Sequence, residues 1–397
     1  MQYYFGWYFR SYCLFYYKIN QPMSNMKKFV YSVLFVTICT LVIIQCKSSN
    51  PAETPEAPYT SSLTMFDAVL FYDGYAATVS EPVPDGMIRV QNSRYAKKIP
   101  SSFIDSLDNK LEMQIVVKAA CDNYDRIGSV YLSLINKGEP YDQSRIVSQI
   151  EIARFITPFM DKNKSPQEVP YKFEIDNIAK LLRDPDYSAK YDFWMELDIF
   201  GVPYAANKQI AGCDGKNYTF YGSVKLVSSE KPENANEYLL PVASYVYLNN
   251  YKDTDQIGET VRSFTVEAVS PIQNAKLYVI TSNHGSNNGG EEYNRRDHYI
   301  YFDGNLLGVY KPGGKSCEPY RVYNTQKNGI YGTSARSDAE WSSFSNWCPG
   351  DVIPIRVFDL GDLEAGSHIF KIEVPDAKFV DKQGEIPVSA YVQGEKK

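Results

Sequence analysis

Residues 115–134 read Ile115-Val116-Val117-Lys118-Ala119-Ala120-Cys121-Asp122-Asn123-Tyr124-Asp125-Arg126-Ile127-Gly128-Ser129-Val130-Tyr131-Leu132-Ser133-Leu134. Ile115 and Val117 share one face of an extended chain. Val130, Leu132 and Leu134 share another. Alternation with a period of two is the mark of a half-buried strand, so the stretch is predicted to be strand, tight loop, strand. The loop Cys121–Arg126 carries two carboxylates, an arginine and an aromatic ring. Those residue types suit sugar or amide chemistry. They equally suit a solvated turn closed by a local Asp–Arg pair.

The same alternation recurs outward from this point. It predicts strands over Tyr191–Phe200, Phe220–Val227, Ala275–Thr281, Tyr299–Phe302, Leu306–Tyr310 and Ile369–Val374, and through Ile353, Ile355 and Val357. Asp303-Gly304 supplies the hairpin turn between two of them. One helix is expected at Asp176–Arg183, capped by Asp176 and ended by Asp184-Pro185. Ser228–Glu237 is polar and holds Pro232, which marks a domain boundary. The reading is all-β: two antiparallel β-sandwich domains packed side by side, over residues 64–228 and 238–395. No internal repeat of solenoid or propeller type is present.

The 397 residues carry a net charge of -6 and no basic stripe, which argues against a nucleic-acid partner. Tyrosine is abundant, at 33 residues, and histidine scarce, at 3. Tyrosine suits strands and offers ring faces and hydroxyls to sugars. No Cys-x-x-Cys or His-x-x-x-His spacing occurs, so no metal site is expected.

The N-terminus points to export. Met26-Lys27-Lys28 precedes an apolar run from Phe29 to Ile44, and Cys46 follows. A charged start, a short apolar core and a cysteine describe a lipoprotein signal peptide over residues 26–45, although Gln45 stands where a small residue is usual. Cys46 is the expected lipidation site, giving a membrane-anchored protein of the periplasm or cell surface. Residues 46–63 are proline-rich and polar, as a flexible tether would be. Residues 1–25 read as an upstream extension, with translation starting at Met23 or Met26. Of the seven cysteines, Cys121, Cys213, Cys317 and Cys348 remain for the folded body. An even number in an exported chain implies disulfides, and three pairings are open.

Three further segments join the Cys121–Arg126 loop in a fixed order: Arg154-Phe155-Ile156-Thr157-Pro158, Gly290-Glu291-Glu292-Tyr293, and Asn346-Trp347-Cys348-Pro349-Gly350. Together they resemble the bacterial peptide-N-glycosidase F family, over about residues 100–395. The resemblance implies two jelly-roll domains with a cleft between them. It also implies an amidase that hydrolyses the bond between N-acetylglucosamine and asparagine, without a cofactor, acting as a monomer on N-glycoproteins or glycopeptides. It carries the catalytic role to Asp125, Glu292 and Glu196, with Arg126 orienting Asp125. Substrate contacts fall to Arg126, Tyr124, Ile156, Tyr293, His284 and Trp347. The pairing it implies is Cys317 with Cys348; Cys121 lacks the family's upstream partner and is left either free or paired with Cys213.

The departures lie on the sugar platform. Family tryptophans are replaced by Asp198, Tyr124 and Tyr293, a Trp-Gly-His segment reads Ser282-Asn283-His284, and a family arginine is replaced by Phe344. Tyrosine can still stack on a sugar, whereas aspartate and serine cannot. The acids are kept while part of the platform is changed. The same sequence therefore also fits a non-catalytic glycan-binding lipoprotein, or a structural surface protein without a small-ligand site.

Overall fold

The computed structural model describes residues 61–397 apart from 231–233, 253, 256–258, 287–289 and 327–329. The extension, the leader, Cys46 and nearly all of the tether lie outside the described residues. A strand already begins at Ser61, within the residues 46–63 expected to form the tether.

The first block holds β1 (Ser61–Tyr72), β2 (Met87–Gln91), β3 (Arg94–Lys98), β4 (Lys110–Ala119), β5 (Ile127–Asn136), β6 (Ile146–Ile156), β7 (Glu168–Glu174), β8 (Tyr191–Ile199) and β9 (Tyr218–Ser229). The second holds β10 (Glu237–Leu248), β11 (Val261–Ala268), β12 (Ile272–Thr281), β13 (His298–Phe302), β14 (Asn305–Tyr310), β15 (Val352–Ile353), β16 (Arg356–Leu363), β17 (Gly366–Glu373) and β18 (Ile386–Lys396). All pairings are antiparallel.

The sheets run β1-β9-β4-β7 and β15-β6-β5-β8-β3-β2 in the first sandwich, and β10-β18-β12-β16 and β11-β17-β13-β14 in the second. In each sandwich the inward side chains of both sheets merge into one core. β4 shows why the first pair of sheets closes: Leu111, Met113, Ile115, Val117 and Ala119 are buried, and their neighbours are not. Each such side chain contributes roughly 1.5–3 kcal/mol by leaving water. β5 is buried on both faces from Gly128 to Ile135. It sits mid-sheet, with the other sheet on one side and polar partners on the other.

Two local expectations are corrected. Ile353–Val357 is not one strand. Pro354 has no N–H to continue a ladder. β15 pairs with Phe155 and Arg154 of β6, while β16 turns to β12. The second block thereby adds an edge strand to the first sandwich. The helix Asp176–Arg183 forms, but Asp176 does not cap it. Its carboxylate accepts from Leu111 N at 3.0 Å and Lys110 Nζ at 2.9 Å, tying the helix to β4. Asp184 instead caps a following helix, Pro185–Lys190. The hairpin at Asp303-Gly304 is as expected, with φ of 48° and 76°; both central residues of such a turn need positive φ.

A buried charge pair joins the sandwiches. Arg154 and Glu151 are both fully buried, and Arg154 Nη2 donates to Glu151 at 2.6 Å. Arg154 Nη1 also donates to Ser282 Oγ at 3.0 Å and Pro387 O at 2.7 Å, both in the second sandwich. Glu151 accepts from Ser129 Oγ at 2.8 Å and from Ser389 Oγ.

Candidate active site

The Cys121–Arg126 loop is the corner where the chain leaves the four-stranded sheet and enters the six-stranded one. Its shape is set by Asp122, which is buried and accepts from Tyr124 N (3.0 Å), Arg126 Nε (2.7 Å) and Val202 N (2.7 Å). Thr157 pins the other side. Its hydroxyl accepts from Arg126 N at 2.7 Å and donates to Tyr124 O at 3.0 Å, and its N–H donates to Arg126 O at 2.8 Å. Cys121 is bonded to Cys213, which draws in the short helix Ala206–Gln209. Asn123 Nδ2 donates to Gln209 Oε1 at 2.7 Å. With the loop held on every side, Asp125 projects into a cavity.

That cavity measures about 490 Å³ and lies between the two sandwiches. From the first come Tyr124, Asp125 and Arg126; from the second, His284, Glu292 and Tyr293. Phe159, Gln209 and Gln326 complete much of the wall. Glu292 is held by the segment before Trp347: Asn346 Nδ2 donates to Glu292 O at 2.7 Å, and Ser345 Oγ donates to the same oxygen at 3.1 Å. Cys348 is bonded to Cys317, which secures this segment.

The electrostatics follow from burial and like charge. Burial raises the pKa of Asp125 well above the ordinary carboxylate range, the negative charge of Glu292 raises it further, and Arg126 works against both. Burial also raises Glu292, opposed by hydrogen bonds from Tyr293 and from the backbone at Gly285. Two carboxylates whose environments favour a proton, facing one cavity, can divide acid and base work between them. His284 is pulled down to about 3, first by burial and then by Arg154, so it is neutral at physiological pH. Its Nε2 lies 2.8 Å from Ser282 Oγ, which in turn accepts from Arg154. The buried interface pair thus fixes a cavity side chain.

Several expected residues lie elsewhere. Glu196 does not reach the cavity. It is fully buried on β8, accepting from Ser133 Oγ at 2.5 Å and Gln149 Nε2 at 3.1 Å, with Arg94 at 3.5 Å. Ile156 is buried with Ile280, Trp347 and Ile353 and touches no solvent. Trp347 stands behind His284, ring centres 5.6 Å apart, and donates from Nε1 to Asn283 O at 2.9 Å. Arg126 lines the cavity, but its ion-pair partner is Asp122 rather than Asp125. Phe344 packs edge-on behind Tyr293 at 5.7 Å. Among the lining residues missed from sequence are Phe159, Gln209 and Gln326. The first directly follows the segment Arg154–Pro158, whereas Gln209 ends a four-residue helix and Gln326 sits on irregular chain, neither with a periodic signal.

A second cavity of about 390 Å³ adjoins the first and shares Ile127 and Phe200 with it. Arg94, Tyr131 and Asp198 line it from one sandwich, and Tyr245, Tyr247 and Glu385 from the other. Arg94 is ion-paired with Asp198 at 2.7 Å. Among the described residues no cluster of metal-ligating side chains occurs.

Two antiparallel sandwiches with a carboxylate-bearing cleft between them define the class, and comparison with known proteins defines the family. The description peptide-N-glycosidase F, N terminal, matches residues 62–217, and peptide-N-glycosidase F, C terminal, matches residues 250–393. The chain belongs to the peptide-N-glycosidase F family. Its fold is similar to that of PNGF-II, with 19% identity, a TM-score of 0.62, and coverage of 85% of this chain and 66% of that one. This chain therefore spans just under two thirds of the length of PNGF-II. It is also similar to PNGase F, a glycosylasparaginase from Flavobacterium meningosepticum, with 16% identity, a TM-score of 0.51, and coverage of 85% and 96%. A recombinant peptide: N-glycanase F (PNGase F) gives 16% identity and a TM-score of 0.53 over the same shares. No curated protein matches the sequence.

Proposed function

We propose that this protein is a peptide-N-glycosidase, an amidase that hydrolyses the bond between N-acetylglucosamine and the side-chain nitrogen of asparagine. The observation that carries the reading is the joint presence of Asp125 and Glu292, both with raised pKa, in one cavity between the sandwiches. Over the pH range in which this pair holds one proton, the ionised carboxylate draws a proton from water attacking the asparagine carbonyl. The protonated one supplies the leaving nitrogen. The C–N bond breaks, leaving an aspartate on the peptide and an amino-terminated glycan. Asp125 is assigned the water and Glu292 the sugar–amide side. Neutral His284 and the Tyr124 and Tyr293 rings bound the sugar, and hydrogen-bond donors around the cleft stabilise the developing charge. Glu196 is reassigned to support of β8.

The second cavity extends the cleft and offers tyrosine faces to further sugar rings. Export on a lipid anchor at Cys46 would place the enzyme where glycoproteins are met outside the cytoplasm. A non-catalytic glycan-binding role is favoured by one observation, the Arg94–Asp198 pair standing where the family has a tryptophan. Incubating the full chain with an N-glycopeptide and weighing the peptide tests the proposal. Conversion of asparagine to aspartate supports it. Retention of glycopeptide without conversion supports the binding role instead.

A further inference from the structure

On the far side of the wall that carries Glu292 lies a separate cavity of about 110 Å³, lined by Thr281, Lys311, Lys315, Trp347, Asp351 and Arg356. Its charges do not balance. Lys315 is ion-paired with Asp351, which also accepts from the Tyr320 hydroxyl at 2.6 Å. Lys311 reaches Asp297 at 3.3 Å across a half-exposed surface. Arg356 has no carboxylate partner among the described residues. Its guanidinium lies 3.8 Å from the centre of the Tyr310 ring, and its one hydrogen bond among them runs from Nη1 to Pro354 O at 3.4 Å. Burial lowers its pKa, with only Tyr310 opposing. A guanidinium has five N–H donors in a planar fork, and on this half-buried arginine most of them are left for a ligand. The fork matches the paired oxygens of a carboxylate, sulfate or phosphate.

We propose that this cavity is a binding site for a small oxyanion group, held by the Arg356 fork and flanked by Lys311 and Lys315. The volume corresponds to a few waters at about 30 Å³ each, which suits a tetrahedral anion. Carboxylate, sulfate and phosphate share the required chemistry. The group can arrive as a free ion or as an acidic substituent on a glycan. Trp347 belongs to this lining and its ring also lies against that of His284, so the bound group would abut the back of the catalytic wall.

The test titrates the full chain with inorganic sulfate, and separately with 6-sulfated N-acetylglucosamine, following the unfolding midpoint against sodium chloride of equal ionic strength. A ligand that binds only the folded state gives a saturable rise. The expected result is such a rise with sulfate, and an affinity about tenfold or more weaker in Arg356→Gln. Lys315→Gln, at a half-exposed position, should weaken it less while leaving the fold intact. A tighter response to the sulfated sugar identifies a glycan substituent, and a response to sulfate alone identifies a free ion; both uphold the site. No response beyond chloride in the parent to either probe overturns it. So does an unchanged response in both Arg356→Gln and Lys315→Gln. Because the readout is stability rather than glycan release, the result is independent of the amidase reading.

Discussion

Asp125 is the residue whose environment decides the most. Its raised pKa means that the folded chain favours the protonated carboxyl. A carboxyl raised above its unfolded value contributes stability that is present below that value and is lost as pH rises through the folded value. At neutral pH, far above the unfolded value, Asp125 therefore opposes folding, and so does Glu292. Asp125→Asn is expected to be more stable than the parent at neutral pH. The gap should close on acidification from the raised folded value of Asp125 down to the usual carboxylate value, where it is gone. Urea unfolding at several pH values checks this, and an Asn variant less stable at neutral pH would contradict the burial argument. Glu196→Gln is expected to act through the fold, because Ser133, Gln149 and Arg94 lose a charged acceptor. A loss on the order of 1–3 kcal/mol should appear in unfolding, with kcat changed little. A fall in kcat comparable to that of Asp125→Asn, at unchanged stability, would restore Glu196 to the chemistry. The alternation of Trp194, Glu196 and Asp198 was legible in the sequence. What covers that face was not, because it depends on Arg94 of β3 and Gln149 of β6, both distant in the chain.

At the scale of elements, the segment 154–158 does more than a strand end requires. Arg154 joins the sandwiches and Thr157 pins the Cys121–Arg126 loop. Replacing Arg154 by Ala would leave Glu151 buried without its partner. Loss of one member of such a pair costs about 3–5 kcal/mol. Denaturation should show that loss, and His284 should be released from its hold on Ser282. A double variant, Glu151→Gln with Arg154→Met, should recover much of the stability; if it does not, charge burial is not the cause. The Cys317–Cys348 bond closes a loop with a sequence separation of 31 residues. Its loss should cost about 3–4 kcal/mol in the chain-entropy model and loosen the segment that holds Glu292. Unfolding of a Cys317→Ser, Cys348→Ser double variant measures this. Most strands could be read from periodicity, and the helix Asp176–Arg183 from its flanking residues. β15 could not. Its two residues are recruited to another sandwich by pairing, and Pro354 decides where the ladder breaks.

For the whole molecule, the two-sandwich arrangement follows from alternation and turn chemistry, but the cleft between them does not. Asp125 and Glu292 come from loops far apart in the chain, and only the tertiary fold makes their charges neighbours. The structure brings these two acids, both named from the resemblance, into one cavity and buries Ile156 and Trp347 away from it, because a motif marks a segment without saying which of its side chains reach solvent. The account's central claim is that Asp125 performs chemistry in this cleft rather than only shaping it. The direct measurement compares the parent with Asp125→Asn on one N-glycopeptide, following both retention and conversion to the aspartyl peptide by mass. The account predicts conversion by the parent, and retained binding with conversion slowed about 10²–10⁴-fold in the variant. Conversion by Asp125→Asn at close to the parent rate would contradict it.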